Sequence, residues 1–378
     1  MLVRVVHLGG RENFAIPAML ERSGFNVDLV ADLYRPFLFR LSGSRAGYHQ
    51  LRHAKIKDFP GFSFKYSRAL RKAKDKESVF EEYGSQFSTL AIHAFKDAPD
   101  VIISFSTTAL EIFQAFKGRS LLVLDQIDGG PIEDQMVRDE AIQFPGWENT
   151  YSQSLSSMHL RMKKEWALAD IIVVNSNFSK RCLCLAGVDA NKIQVIPLCY
   201  EPKISKIKTY AKPGVFKVLF LGQVCLRKGI HYLDKAAEMI SDKFPLKLTI
   251  AGPSQLTDEA IGGLAKKHSV MGKVKQGHII NLICEHDLLV LPSIAEGFGL
   301  VQLEALSCGV PVVATTNCGE AVDSSTNGYI IPPYDPHALA QAIVQAKEAQ
   351  LKFDPIAALA RFRMDAVAVQ WTKVLKLK

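Results

Sequence analysis

Short runs rich in Val, Ile and Leu recur along the whole chain and alternate with segments of helical periodicity. They are Leu2–Leu8, Val27–Ala31, Val101–Phe105, Leu121–Leu124, Ile171–Val174, Ile193–Pro197, Val218–Leu221, Leu246–Ala251, Leu288–Leu291, Val310–Ala314 and Tyr329–Ile331. None shows the apolar–polar alternation of a strand with one wet face. Runs of this kind read as strands buried on both faces, hence parallel sheet with helical crossovers. Repeated strand–helix units predict a doubly wound α/β architecture, in which ligands bind outside the carboxyl ends of the strands.

The series breaks near residues 200–215. Glu201-Pro202 and the basic stretch Lys203–Gly214, with its proline and glycine, read as a linker, and a fresh strand follows. The predicted organisation is one domain over 1–202, a second over 203–354, and a C-terminal helix over 355–378 that packs back on the first domain. The length of 378 residues suits two domains of ordinary size. No run approaches the roughly 18–20 apolar residues of a membrane span, and the N-terminus reads as a strand rather than a signal peptide. The expected location is cytoplasmic, peripheral on the inner membrane face. Seven cysteines in irregular spacing do not form a disulfide framework, and Cys182 and Cys184 make a poor metal pair, so free thiols are expected.

The net charge of +8 is concentrated. Residues 40–76 hold eleven cations (Arg40, Arg45, Arg52, Lys55, Lys57, Lys65, Arg68, Arg71, Lys72, Lys74 and Lys76) against Asp58 and Asp75. Tyr48, Phe59, Phe62, Phe64 and Tyr66 lie among them. Two readings stand: a surface for an anionic membrane or a phosphate-bearing acceptor, or a solvated excursion from the first domain. Nucleic acid is the poorer partner, because the rest of the chain offers no recognition module.

The sharpest chemistry lies in Pro292–Val313. A buried strand ends at Leu291, a glycine-bearing loop follows, and a helix runs from near Gly299 to a glycine stop at Gly309. Backbone N–H groups of Gly299, Leu300 and Val301 at that helix start suit a diphosphate. Glu296 in the loop and Glu304 in the helix are acceptors suited to sugar hydroxyls. A second block, Val218–Ile230, is a strand, a loop and a helix start that places Arg227 and Lys228 at a strand's carboxyl end, where cations neutralise phosphates.

Glu296 and Glu304, with seven residues between them inside Gly-Phe-Gly-Leu and Cys-Gly-Val-Pro-Val-Val, resemble the signature of retaining glycosyltransferases of family 4. That family has the GT-B fold, two Rossmann-like domains facing across a cleft. The resemblance runs from residue 1 to about 345 and is strongest over 216–333. It implies that Glu296 contacts the donor hexose, that Glu304 contacts the nucleotide ribose, and that Lys228 binds the donor phosphates. The family often has arginine at the position of Gln223, and Arg227 is positioned to supply that charge. Gly222, Gln223, Phe298, Gly299, Leu300 and Val301 complete the implied donor site, with Gly10 of the loop after the first strand beside the leaving diphosphate. Asp125 and Asp128 occupy the acceptor side. Ser176 or Asn177 caps the helix that follows the strand Ile171–Val174.

The expected function is transfer of a hexose from a nucleotide-diphosphate sugar, as co-substrate, to an unidentified acceptor with retention of configuration. No cofactor and no metal are expected. In the family the leaving phosphate helps deprotonate the acceptor, which leaves positioning and charge stabilisation to the protein. The alternatives are a non-catalytic nucleotide-sugar-binding scaffold, or another two-Rossmann enzyme such as a sugar-nucleotide epimerase.

Overall fold

The computed structural model describes residues 1–34, 51–73, 76–148, 157–201, 208 and 214–376. Strands among them form two sheets, and every pairing is parallel. The first contains β1 (Leu2–His7), β2 (Asn26–Ala31), β3 (Lys55–Asp58), β4 (Val101–Phe105), β5 (Leu121–Gln126), β6 (Ile171–Val174) and β7 (Ile193–Val195), in the order β3-β2-β1-β4-β5-β6-β7. The second contains β8 (Phe216–Leu221), β9 (Leu246–Ala251), β10 (Ser269–Gly272), β11 (Leu288–Leu291), β12 (Val312–Thr315) and β13 (Gly328–Ile331), in the order β10-β9-β8-β11-β12-β13. Both follow the doubly wound order, with a switch point between the first and fourth strands of each sheet. The fold is GT-B, two Rossmann-like domains.

All eleven apolar runs are strands. The two strands without such a run, β3 (Lys-Ile-Lys-Asp) and β10 (Ser-Val-Met-Gly), occupy the same place at the edge of each sheet. An edge strand has one neighbour and exposed faces, so nothing demands a continuous apolar run, and charge there discourages pairing with other chains.

Side chains alternate between the two faces of each sheet. On one face of the first sheet, Val6, Ile102, Leu122 and Ile172 pack with Phe87, Phe113 and Trp166. On the other, Val3, Val5, Ile103 and Val123 meet Ile16 and Leu20 and, from the far end of the chain, Met364, Val367, Trp371 and Val374. These last belong to the helix Met364–Leu375, whose inward positions follow the spacing of a single helical stripe. Its first turn is tied to the chain at Glu201, which accepts from the Met364 N–H at 2.8 Å. The second sheet is enclosed likewise, by Ile230, Leu233, Leu339 and Ile343 on one face and by Leu303, Leu306 and Phe362 on the other.

In the basic segment the excursion reading is corrected for the described part. Residues 55–58 join the sheet as β3, and Pro60–Lys72 form a helix. Phe59, Phe62 and Tyr66 lie on one stripe of that helix and turn inward, with ring centroids 5.5 Å apart for Phe62 and Phe87 and 5.4 Å for Tyr66 and Tyr83. Lys65, Arg68, Arg71, Lys72 and Phe64 face solvent. Arg40, Arg45, Tyr48, Lys74 and Asp75 lie outside the described residues, as does most of the linker at 203–214. Among the described residues no helix is long and apolar enough to cross a membrane.

Candidate functional site

The C-terminal half of the site forms where β8 and β11 diverge. After β8 the chain passes Gly222, makes a short turn at Leu226–Lys228 and reverses at Gly229, which has a left-handed φ of 67°. A Cβ at Gly229 would stand 2.0 Å from the Pro292 carbonyl oxygen, so the loop after β11 rests directly on this glycine. The backbone N–H groups of Ile294 and Ala295 then donate to the Arg227 carbonyl at 3.0 and 3.4 Å. These contacts bring Glu296 against Lys228, with which it forms an ion pair. The Arg227 guanidinium lies 3.8 Å from the same carboxylate and donates to the Ala295 carbonyl at 2.9 Å. Burial, reinforced by the neighbouring Arg227 charge, lowers the Lys228 ammonium to about 8.

The following helix is Val301–Ser307, closed by Gly309 with a φ of 71°. Glu304 lies in its first turn. Nearby, Tyr200 reaches Ser307 at 3.3 Å, and burial pushes the Tyr200 phenol up to about 12. Gly299 has a φ of 80° and Leu300 is exposed at the helix start. One expected donor residue is placed elsewhere. The Phe298 ring is buried against Phe362 and Gly319, and its carbonyl accepts from Gly319 N–H and Gln302 Nε2. Its large apolar surface belongs to the core and does not line the crevice. Gln223 is half-buried beside Gly222, four residues before Arg227.

The N-terminal half approaches through four loops. After β1, Gly10 is left-handed, and so are Glu12, Asn13 and Phe14. Asp32, at the end of β2, fixes this loop by accepting from Gly9 N–H at 2.8 Å and Ser63 Oγ at 2.8 Å. After β4, the carboxylate of Glu165 accepts from the N–H groups of Thr107, Ala109 and Leu110 at 3.0 to 3.2 Å. Glu165 is fully buried, and burial raises it to about 7 despite those bonds and Arg161. Within β5, Asp125 is buried, whereas after the strand Asp128 accepts from Gln126 Nε2 at 2.7 Å and Gly130 N–H at 3.0 Å. Ser176 caps the helix Asn177–Leu185 by accepting from Ser179 N–H at 3.1 Å, and Asn177 is the first helical residue.

Two contacts between the halves bear directly on the site. A Cβ at Gly297 would lie 2.2 Å from the Ile127 carbonyl, which also accepts from Asn175 Nδ2 at 2.9 Å. Glu133, on the helix Gly130–Gln143, accepts from Gly129 N–H at 2.8 Å and faces the Arg227 guanidinium at 3.4 Å. Lys228, Arg227 and Glu296 are thus brought together, and Glu133 joins them unforeseen. Its only signal is a glutamate near the start of a helix that follows Gly129-Gly130-Pro131, which is the signal of an ordinary first turn. Glu165 and Asp32 carry no local signal either, because their partners lie more than twenty residues away.

Residues 215–348 match the glycosyl transferases group 1 family. An uncharacterized glycosyltransferase of Methanocaldococcus jannaschii is 27% identical over 213 residues, covering 51% of this chain and 55% of the relative. A D-inositol 3-phosphate glycosyltransferase of Paenarthrobacter aurescens is 29% identical over 179 residues, 42% of this chain and 43% of the relative. The chain thus spans about half the length of the curated relatives it matches. Among solved structures, sucrose-phosphate synthase from Thermosynechococcus elongatus superposes over 99% of this chain and 98% of its own, with a TM-score of 0.69 at 19% identity. HepE from Anabaena, solved with UDP-glucose, covers 99% of both chains with a TM-score of 0.61 at 18% identity. At these identities the likeness is one of fold. Taken with the loop geometry, the match makes residues 215–348 a domain of the glycosyl transferases group 1 family.

Proposed function

We propose that the protein is a retaining glycosyltransferase of family 4 that moves a hexose from a nucleoside-diphosphate sugar to an acceptor. Its donor domain covers 203–354 and its acceptor-side domain 1–202, with the C-terminal segment 355–378 closing on the latter. The observation that carries this reading is the convergence of Lys228, Arg227 and Glu296 at the carboxyl ends of β8 and β11. Lys228 and Arg227 neutralise the diphosphate as it leaves, assisted by the backbone N–H groups at Gly299, Leu300 and Val301. Glu296 accepts from the hexose hydroxyls and Glu304 from the ribose, with Gly222 and Gln223 shaping the pocket and Gly10 beside the leaving phosphate. The protein's contribution to rate is positioning and charge stabilisation, without a cofactor and without a metal. UDP is the favoured nucleotide, because HepE was solved with UDP-glucose.

On the acceptor side the better candidate is Asp128, whose carboxylate is held by Gln126 and Gly130 and is less buried than Asp125. The outward cations of the helix Pro60–Lys72, with exposed Phe64, suit an acceptor carried on an anionic membrane face. Co-sedimentation with anionic vesicles at low salt tests that part, and failure to pellet removes it.

The main test is thermal stability against UDP-, GDP- and ADP-sugars and the free diphosphates. A ligand at a hundred times its Kd adds about 2.7 kcal/mol to native stability. One nucleotide series is expected to raise Tm, with the shift lost in Lys228→Ala and Glu304→Ala. A shift unchanged in both variants would move the donor site elsewhere.

A further inference from the structure

The crevice holds an excess of carboxylate. Asp128, Glu133 and Glu296 gather around two cations, Arg227 and Lys228. A nucleoside diphosphate adds negative charge to this group, so one carboxylate has to give way before the phosphates can reach both cations.

The geometry identifies which one. Glu296 is fixed within the C-terminal domain, since its loop is bonded to the Arg227 carbonyl and its carboxylate to Lys228. Asp128 is held by two donors of its own domain. Of these three carboxylates, Glu133 is the one that reaches a cation of the other domain. One oxygen accepts from Gly129 N–H, and the other faces Arg227 at 3.4 Å, longer than a well-formed charged hydrogen bond. Its carboxyl is pushed upward by burial first and by Asp128 next, with Arg227 and the Gly129 N–H acting in the opposite sense and Asp134 adding to the rise. The ionised form is thus held at a cost that Arg227 offsets only in part.

We propose that Glu133 is a further residue of the donor site: it occupies the Arg227 guanidinium across the crevice until the donor diphosphate displaces it. The inference rests on the donor-site reading above and adds a competitor supplied by the other domain. Arg227 then exchanges one anionic partner for another as the donor enters, and donor binding is coupled to release of the cross-domain contact. Glu133 acts through Arg227 and is a positioning residue.

The test is calorimetric titration of the full chain with UDP, GDP and ADP, comparing wild type with Glu133→Gln, Glu133→Ala and Lys228→Ala. Glu133→Gln keeps an acceptor for Gly129 and removes the competing charge. Both Glu133 variants are expected to bind the preferred diphosphate about fivefold tighter, a gain that damage to the fold would not produce. Lys228→Ala is expected to weaken the same binding. Wild-type binding that Glu133→Gln and Glu133→Ala leave unchanged or weaken overturns the role of Glu133 alone. Absence of binding by wild type and variants alike overturns the donor site, and the role of Glu133 with it.

Discussion

The two sheets share one strand order, yet the walls of the crevice between them are built in different ways. On the C-terminal side the backbone packs directly on backbone. A Cβ at Gly229, Gly252 or Gly328 would lie 2.0, 1.7 or 1.9 Å from a main-chain oxygen of a neighbouring segment. On the N-terminal side buried carboxylates hold the loops: Asp32 the one after β1, Glu165 the one after β4, and Glu133 the one after β5. Backbone packing fixes a shape that phosphates can use, because main-chain N–H groups stay where the glycines put them. Carboxylate bracing fixes a shape too, but it leaves charge in the crevice that a substrate must accommodate.

The largest effect should come from cutting a brace. Glu165→Ala removes the acceptor of three loop N–H groups and leaves Arg161 with one carboxylate, Glu111, instead of two. Breaking a buried pair of this kind costs about 3–5 kcal/mol. Urea denaturation should show a loss of that size with an unaltered m-value. A loss under about 1 kcal/mol would mean that the N-terminal wall is held by something other than its carboxylates.

The next effect belongs to the glycine wall. Gly297 has its close neighbours in the other domain, the Ile127 carbonyl and the Asn175 amide. Gly297→Ala should therefore hold the domains apart without disturbing either core. Turnover is expected to fall about a hundredfold, the scale of a one-ångström misplacement, while Tm stays near wild type. Gly229→Ala is the contrast, because its new methyl meets Pro292 within the same domain and must lower Tm as well. Equal Tm losses in the two variants would remove the distinction between a wall and an interface.

The same contrast explains what the sequence made legible. The C-terminal strings, Gly222 to Gly229 and Pro292 to Gly309, are contiguous because backbone packing constrains neighbouring residues, so they could be read directly. The buried strands were legible for a similar reason, since burial on both faces forces an apolar run. β3 and β10 were not, because an edge strand makes no such demand. The bracing carboxylates were illegible on other grounds: Glu165 and the loop it holds are more than fifty residues apart, and no local pattern joins them. The inward turn of Phe59, Phe62 and Tyr66 was present as helical spacing, but the surrounding charge drew the reading toward a surface.

Charge in the crevice predicts a pH response. Lys228 is brought down to about 8 by burial and by Arg227, so its ammonium is present below that pH and is lost as pH rises through it. Glu133, raised by burial and Asp128, becomes more anionic over the same direction of change. Both trends weaken diphosphate binding toward alkaline pH. Above about pH 8 affinity should fall by up to tenfold per unit, with the Lys228 limb retained in Glu133→Gln. Affinity that is flat from pH 7 to 10 would show that the Lys228 ammonium does not bear on the phosphates.

The smallest effect separates a cap from a contact. Ser176 stands at the crevice after β6, where a hydroxyl invites a catalytic reading. Its Oγ already accepts from Ser179 N–H and donates toward Ser179 Oγ, and the residue is fully buried. With its proton and one lone pair committed and no surface exposed, this hydroxyl is out of a sugar's reach. Ser176→Ala should cost about 1 kcal/mol, the usual value of an N-cap. Diphosphate affinity and turnover should remain at wild-type levels once the folded fraction is matched. A tenfold drop in turnover at unchanged stability would instead bring Ser176 into the chemistry and make the N-terminal wall a source of reacting groups as well as of bracing.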